Sequence, residues 1–241
     1  MAEACKLNDR VRVDLWAFAV WPTLVFVCLW PVLEFLEVDE LVVAGFYDPV
    51  IQAFPLQHDF WTKTVLHDWG RNLLRVFGGL IVLLMIGSFF LQRLRPCRRV
   101  LVYLVVAISL SVGLVNLGKR VSNVDCPWDM QEYGGSVGHY HLFDAKPAGE
   151  QVGKCFPGGH SSGGFSLFAL YFAGLALGVS RARCLLLAPL VIGSVFAIDQ
   201  WARGAHFPSH DLTSAYLCWM LSLGIFWLMF VRVQSQPASV G

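Results

Sequence analysis

Charged residues are scarce in this chain. Asp, Glu, Lys and Arg make up 15% of its 241 residues, 56% are hydrophobic, and the mean hydropathy is +0.58. A soluble domain carries about 25% charged residues, so the composition excludes an ordinary soluble domain and indicates an integral membrane protein. The net charge of +1 gives no reason to expect a nucleic-acid partner. The sequence also lacks low-complexity segments and solenoid-type repeats, so we expect one domain over residues 1–241.

Six apolar runs are long enough to cross the hydrocarbon core of a bilayer, which takes about 20 helical residues. They are Leu15–Leu33, Leu73–Leu91, Val100–Gly118, Ser162–Val179, Cys184–Trp201 and Leu212–Val231. The sequence therefore predicts an all-α, polytopic membrane protein built as a bundle of six transmembrane helices. The first run is as long as a full span and no small-residue cleavage site follows it, so we expect an uncleaved helix rather than a signal peptide.

The distribution of Lys and Arg predicts the orientation of this bundle. Ten of the 18 positive residues fall on one side, which holds only three of the 17 acidic residues. These ten are Lys6, Arg10, Arg12, Arg93, Arg95, Arg98, Arg99, Arg181, Arg183 and Arg232. Because Lys and Arg accumulate in cytoplasmic segments, we expect cytoplasmic tails at 1–14 and 232–241. The connections 34–72 and 119–160 would then face the periplasm of a bacterial inner membrane.

The two periplasmic connections differ in character. Leu41–Phe54, in the first, mixes apolar and polar residues and is typical of a short interfacial helix. The second carries Cys126 and Cys155, which an oxidising compartment would allow to form a disulfide or leave as two thiols. Cys5 and Cys97, by contrast, are expected to face a reducing cytoplasm.

Histidines and cations stand at the periplasmic ends of the predicted spans. Pro157-Gly-Gly-His160-Ser161 places an imidazole on a glycine-rich turn, where the backbone can approach an anion closely. His206 follows Arg203 by three residues, and residues three apart on a helix share a face. Lys119 and Arg120 end the third run. Imidazoles can attack phosphorus and transfer protons, while Lys and Arg hold phosphate oxygens, so the set predicts phosphate chemistry at a membrane surface.

Three segments together resemble the signature motifs of the phosphatidic acid phosphatase type 2 superfamily. They are Lys119, then six residues, then Cys126-Pro127; then Pro157-Gly-Gly-His160; and then Arg203 and His206 with an acid after them. Their order, spacing and predicted topology are similar to those of the membrane-embedded bacterial branch, and the resemblance covers roughly residues 70–231. It implies an active site at the periplasmic face of the bundle.

The resemblance also implies a role for each residue. His206 would be the nucleophile that forms a phosphohistidine, and His160 would protonate the leaving group and then activate water. Lys119, Arg120 and Arg203, with backbone amides near Gly159 and Ser161, would hold the phosphoryl oxygens. Asp211 would orient the nucleophile, with Asp199 and His210 as the alternatives. No metal or other cofactor is implied.

Four positions depart from the family pattern. The arginine of the first motif is Cys126 here, and the serine of the second is Gly158. In the third motif, Gln200 stands six residues before the histidine, where arginine is expected, and His210 stands where the orienting aspartate is expected.

The implied activity is hydrolysis of a lipid phosphate monoester or pyrophosphate. Candidate substrates are undecaprenyl pyrophosphate, phosphatidylglycerol phosphate, phosphatidic acid and lipid A. A lipid phosphotransferase, passing phosphate from a polyprenyl pyrophosphate to lipid A, is an alternative that shares the chemistry as far as the phosphohistidine. A third alternative is a non-enzymatic membrane protein that binds metal through His139-Tyr-His141 and the other histidines. The sequence leaves the oligomeric state open.

Overall fold

The computed structural model describes residues 5, 7–8, 13–14, 16–147, 149 and 151–231. Over these residues the fold is helical, and the only strand-like pairings are two isolated bridges, Asp48 with Ala53 and Met130 with Val137. The α-helices are α1 (Trp21–Phe35), α2 (Val38–Ala44), α3 (Gly70–Phe90), α4 (Arg98–Val121), α5 (Gly159–Phe165), α6 (Phe168–Ala176), α7 (Leu187–Ala202) and α8 (Pro208–Phe226). The tails expected at 1–14 and 232–241 lie mostly or entirely outside the described residues.

Five helical segments in the described part of the chain are long and apolar enough to cross a membrane. They are Trp16–Phe35, Phe60–Phe90, Arg95–Val121, Ala182–Ala202 and Pro208–Val231. Each matches a predicted span, although several begin earlier than predicted, because π-helical or 3₁₀ turns extend them. The prediction of an all-α membrane protein is confirmed.

The fourth predicted span, Ser162–Val179, does not form one long helix. It folds as α5 and α6 with a short turn between them. Within α5, Ser162 Oγ donates to the carbonyl of Gly159, and just beyond it Ser166 Oγ donates to that of Gly163. Side-chain hydroxyls that bond back to the preceding turn compete with the helical hydrogen bonds and bend helices. The segment packs inside the bundle against α4, α7 and α8.

The first long connection also differs from the prediction. The interfacial helix expected at Leu41–Phe54 lies earlier, as α2, and ends at Ala44. Phe54 packs instead in a small core that covers the end of the bundle. The buried members of that core are Val43, Phe54, Met130, Tyr133 and Phe207. Both long connections are therefore fixed against the start of α8.

The apolar and polar cores occupy opposite ends of the bundle. Tyr103, Phe172 and Phe226, from α4, α6 and α8, are fully buried in the main apolar core. The buried polar side chains concentrate at the other end, between the last turn of α7 and the first turns of α8. Outward-facing apolar side chains such as Leu73, Leu83 and Leu187, each more than 60% exposed, suit contact with lipid.

Two disulfides close the structure at opposite ends of α4. Cys126 pairs with Cys155, so the disulfide rather than the two separate thiols is found in the second connection. Cys5 pairs with Cys97, although both were expected to face a reducing compartment. Because α4 is 24 residues long, about 36 Å of helix separates the two pairs.

Candidate active site

Three segments that are distant in sequence converge at the polar end of the bundle. The last turn of α4 carries Lys119, the first turn of α5 carries His160, and the link between α7 and α8 carries His206. All three side chains line one cavity of about 840 Å³. The convergence of the predicted histidines with Lys119 gives the cavity a cationic, imidazole-lined end.

Lys119 is in direct contact with His206. The Nζ atom of Lys119 lies 3.3 Å from Nε2 of His206 and 3.4 Å from the carbonyl oxygen of Lys154, to which it donates. The approach depends on Gly159, where an added β-carbon would lie 2.6 Å from Cε of Lys119. The glycine of the second motif thus makes room for the lysine of the first.

His206 is oriented by groups on its other nitrogen. Its Nδ1 lies 3.4 Å from Nδ1 of His210, and the backbone carbonyl of Cys155 lies near both imidazoles. A proton on Nδ1 leaves Nε2 with its lone pair, and Nε2 is the nitrogen beside Lys119. Burial, followed by the positive charge of Lys119, holds the pKa of His206 well below its usual 6.5. The imidazole is therefore neutral at physiological pH.

Asp211 lies elsewhere in the same buried region. Its Oδ1 accepts a hydrogen bond from Ser161 Oγ at 2.5 Å, and its Oδ2 accepts one from Trp201 Nε1 at 2.7 Å. These bonds join α5, α7 and α8 behind the cavity. Among the three alternatives for orienting His206, it is His210 that the structure places within hydrogen-bonding reach.

The prediction that Arg203 and His206 share a face of one helix is wrong, because α7 ends at Ala202, before both residues. The amide of Gly204 donates to the carbonyl of Trp201, and that of Ala205 to the carbonyl of Gln200. This is the Schellman arrangement, in which the residue after the cap adopts a left-handed conformation. Gly204 does so, with φ of 69°. The turn directs His206 back into the cavity while Arg203 points away from it.

Arg203 is buried between α7 and the first connection. Its Nε donates to the carbonyl of Gln57 at 3.1 Å, and Nη1 lies 4.0 Å from Oδ2 of Asp199. Arg203 is not part of the cavity lining, and neither is Arg120, which is exposed. Of the three predicted cations, Lys119 alone lines the cavity, and the phosphate-binding roles of the other two stay predictions.

The cavity is also lined by basic side chains outside the predicted site residues. They are His67, Arg71, Arg75 and Lys154. Arg71 and Arg75 are four residues apart on α3, so they share a face of that helix. Two arginines at the start of a predicted transmembrane helix are a signal that could have identified them, because ionisable residues there are expensive and usually functional.

The remainder of the cavity is apolar and follows two adjacent helices. Leu74, Phe77 and Gly78 line it from α3, while Ile108 and Val112 line it from α4. Ile108 precedes Lys119 by eleven residues on α4, so the cavity extends ~16 Å along the helix from its cationic end. The site therefore joins a polar end to an elongated apolar channel.

His139 and His141, the basis of the metal-binding alternative, are not part of this cavity lining and contact carboxylates. Nε2 of His139 lies 3.3 Å from Oε1 of Glu40, and Nδ1 of His141 lies 3.8 Å from Oε1 of Glu34. Glu34 also accepts a hydrogen bond from the amide of Leu142 at 3.0 Å. These contacts fix the second connection to α1 and α2.

The fold and the site together define an α-helical membrane protein with paired histidines and a lysine around one cavity. The family model described as the PAP2 superfamily matches residues 100–234, which include all three motif segments. The chain belongs to this superfamily. No curated protein matches the chain, and no solved structure does either. Membership indicates a membrane-associated phosphatase that acts on phosphate esters.

Proposed function

We propose that this protein is a lipid phosphatase that works through a phosphohistidine at His206. The observation that carries the proposal is the 3.3 Å contact between Lys119 Nζ and His206 Nε2, at the end of a cavity that His160 also lines. It combines a nucleophilic nitrogen, a cation for phosphate oxygens and a second imidazole for proton transfer, which are the components that phosphoryl transfer needs.

In the first step, the lone pair on Nε2 of His206 attacks phosphorus, and the bond from phosphorus to the lipid oxygen breaks. His160 donates a proton to that oxygen, so the lipid leaves as an alcohol or as a shorter phosphate. The ammonium group of Lys119 holds the phosphoryl oxygens and stabilises the charge that develops on them. Preorganised donors of this kind contribute about 3–4 kcal/mol each.

In the second step, His160 removes a proton from water as the water oxygen attacks phosphorus. The bond from phosphorus to His206 Nε2 breaks, inorganic phosphate is released, and both imidazoles return to their starting states. His210 supports both steps, since it lies beside Nδ1 of His206 and thereby keeps Nε2 directed at phosphorus.

The shape of the cavity supports a lipid rather than a soluble phosphate ester. Its apolar part lies between α3 and α4, beside lipid-exposed positions such as Leu73 and Leu83. An acyl or prenyl chain could occupy that part while the phosphate stays at Lys119. Arg71, Arg75 and Lys154 add positive charge beside the head group, which suits a strongly anionic lipid.

We further propose that α5 and α6 together make the sixth crossing, and that the active site opens to the periplasm. The 18 residues from Gly159 to Ala176 span ~27 Å if helical throughout. The bias of Lys and Arg toward the opposite side supports this orientation. A cysteine introduced at exposed Val152 should react with a membrane-impermeant thiol reagent in intact cells, and failure to react would contradict the orientation.

The decisive experiment measures phosphate release from lipid phosphates and pyrophosphates by purified protein in detergent. His206→Ala and His160→Ala should each lower the rate by at least about 10³-fold, because each removes a reacting group. His58→Ala is the matched control, since His58 is exposed and is not part of the cavity lining. Undiminished turnover by His206→Ala would refute the nucleophile assignment.

A further inference from the structure

His67 and His160, which line the cavity, form a second cluster with the buried Asp199. His67 comes from the π-helical turns Phe60–Trp69, His160 from α5 and Asp199 from α7. One nitrogen from each imidazole and one carboxylate oxygen all lie within 4.8 Å of one another. Three separate elements thus direct potential ligand atoms at one point.

Two of these three residues carry a buried polar atom without a hydrogen-bond partner. They are Nε2 of His160 and Oδ1 of Asp199. Only 3% of Asp199 is exposed. An unsatisfied buried polar atom costs about 1–3 kcal/mol, so a native structure normally supplies a partner for it.

The remaining polar atoms of the cluster are held in place. The backbone carbonyl of Leu66 lies beside the imidazole of His160. Nε2 of Gln200 donates to Oδ2 of Asp199 at 2.7 Å and lies 3.3 Å from Nδ1 of His67. Hydrogen bonds on the non-ligating atoms of histidine and carboxylate ligands are the usual outer contacts of a metal site.

We propose that His67, His160 and Asp199 bind a zinc ion. Two imidazoles and a carboxylate with one open position are a ligand set that zinc accepts, with bonds of ~2.0–2.2 Å. Three ligand atoms within 4.8 Å of one another leave a central point that is ~2.8 Å or less from each of them. If each ligand atom moved ~0.7 Å toward that point, the three distances would match zinc bonds.

The surrounding charges set the expected strength of this site. The guanidinium groups of Arg203 and Arg71 act on both His67 and His160, and they oppose an added dication. Asp199 is the single carboxylate among the three ligands. We therefore expect zinc to bind more weakly here than at a permanent structural zinc site.

Zinc at this position would inhibit the phosphatase, an inference that rests on the function proposed above. The ion would occupy the lone pair on Nε2 of His160, which the hydrolytic step needs to accept a proton from water. Zinc binding would thus be reversible and inhibitory, and removal of the ion by a chelator would restore activity.

Titration calorimetry of chelator-treated full-length protein in detergent, with ZnCl₂ as the probe, tests the site without reference to activity. The wild type and His58→Gln should bind one zinc ion, whereas His67→Gln and Asp199→Asn should bind it at least 10-fold more weakly. MgCl₂ should give no comparable signal, because a site with two imidazoles disfavours a hard cation. Equal zinc affinity in all four proteins, or no binding to the wild type, would overturn the proposal.

Melting temperatures measured without zinc establish whether each variant is folded. If Asp199→Asn does not fold, the zinc affinity of His67→Gln alone decides whether the site exists. Inhibition by zinc is then measured relative to each protein's own rate, and His67→Gln should need at least 10-fold more zinc for half-inhibition. If zinc binds but no lipid phosphate is hydrolysed, the proposed function fails and the metal site stands. If hydrolysis occurs without zinc binding, the reverse holds.

Discussion

A β-carbon added at Gly158 would lie 1.9 Å from Oδ1 of Asp211. The family pattern has serine at the first position, and here Asp211 is one residue later than the aspartate that the pattern expects. The two departures are therefore linked. The carboxylate of Asp211, held by Ser161 and Trp201, fills the space that a side chain at residue 158 would need.

Restoring the family serine should accordingly damage the protein. We expect Gly158→Ser to lower stability by about 1–3 kcal/mol, as overpacking of a filled interior does, and to reduce phosphate release. Thermal unfolding in detergent measures the first effect. Gly79→Ser is the control, because nothing lies within 4 Å of a β-carbon there. A Gly158→Ser protein as stable as this control would contradict the packing argument.

Substitution of His210 should mainly lower kcat, whereas substitution of Asp211 should mainly lower stability. His210→Asn removes the ring nitrogen that lies beside Nδ1 of His206, so we expect kcat to fall about 10²-fold while KM changes little. Asp211→Asn places an amide between two hydrogen-bond donors, Ser161 and Trp201, so its main effect should be a loss of stability of about 1–3 kcal/mol.

Steady-state kinetics and thermal unfolding of both variants make this comparison. If Asp211→Asn lowered kcat as strongly as His210→Asn without lowering the melting temperature, Asp211 rather than His210 would be the orienting group.

The depressed pKa of His206 predicts the acidic side of the pH–rate profile. Burial disfavours the charged imidazolium, so the nucleophile stays neutral as pH falls below 6.5 and protonates only at more acidic values. The acidic limb of kcat/KM for His206 should therefore lie below pH 6.5. The same shift means that protonation favours the unfolded state, so stability should decrease as pH falls below 6.5.

Phosphate release and thermal unfolding between pH 4 and 8 test both statements. His206→Gln, which cannot titrate, should lose part of the acid destabilisation. The prediction would be contradicted if the acidic limb of kcat/KM in the wild type were centred at pH 6.5, or if His206→Gln kept the pH dependence of stability of the wild type. Either result would mean that water reaches His206 more than its burial indicates.

The Cys126–Cys155 disulfide should matter for catalysis as well as stability. The carbonyl of Cys155 lies near the imidazoles of His206 and His210, and the disulfide fixes that carbonyl against Cys126. Replacing both cysteines by serine should cost about 3–4 kcal/mol, from the 29-residue separation, and should lower kcat.

The Cys5–Cys97 pair offers the matched control, because it lies at the other end of α4. Its double serine variant should keep kcat at temperatures where it is folded. Equal losses of kcat in the two double variants would remove the link between Cys155 and the nucleophile.

Particular residues show where sequence reasoning succeeded and where it could not. The three motif segments identified the family and brought Lys119, His160 and His206 together correctly, since their spacing relative to the apolar runs places all three at one end of the bundle. The place of His67 in the cavity lining could not be predicted, because a lone histidine in a polar connection carries no local sequence signal. Arg203 and His206 do not share a helical face, because α7 ends at Ala202 and the left-handed Gly204 lies between the two residues.

The sequence by itself determined that this is a helical membrane protein and at which end of it Lys119 and the paired histidines lie. Both follow from the length of apolar runs and from the placement of charges, which are local properties that act wherever the chain folds. Only the tertiary structure decided which side chains touch His206 and which are turned away. Those contacts depend on packing between α4, α5, α7 and α8, and on buried hydrogen bonds that must be satisfied by partners distant in the sequence.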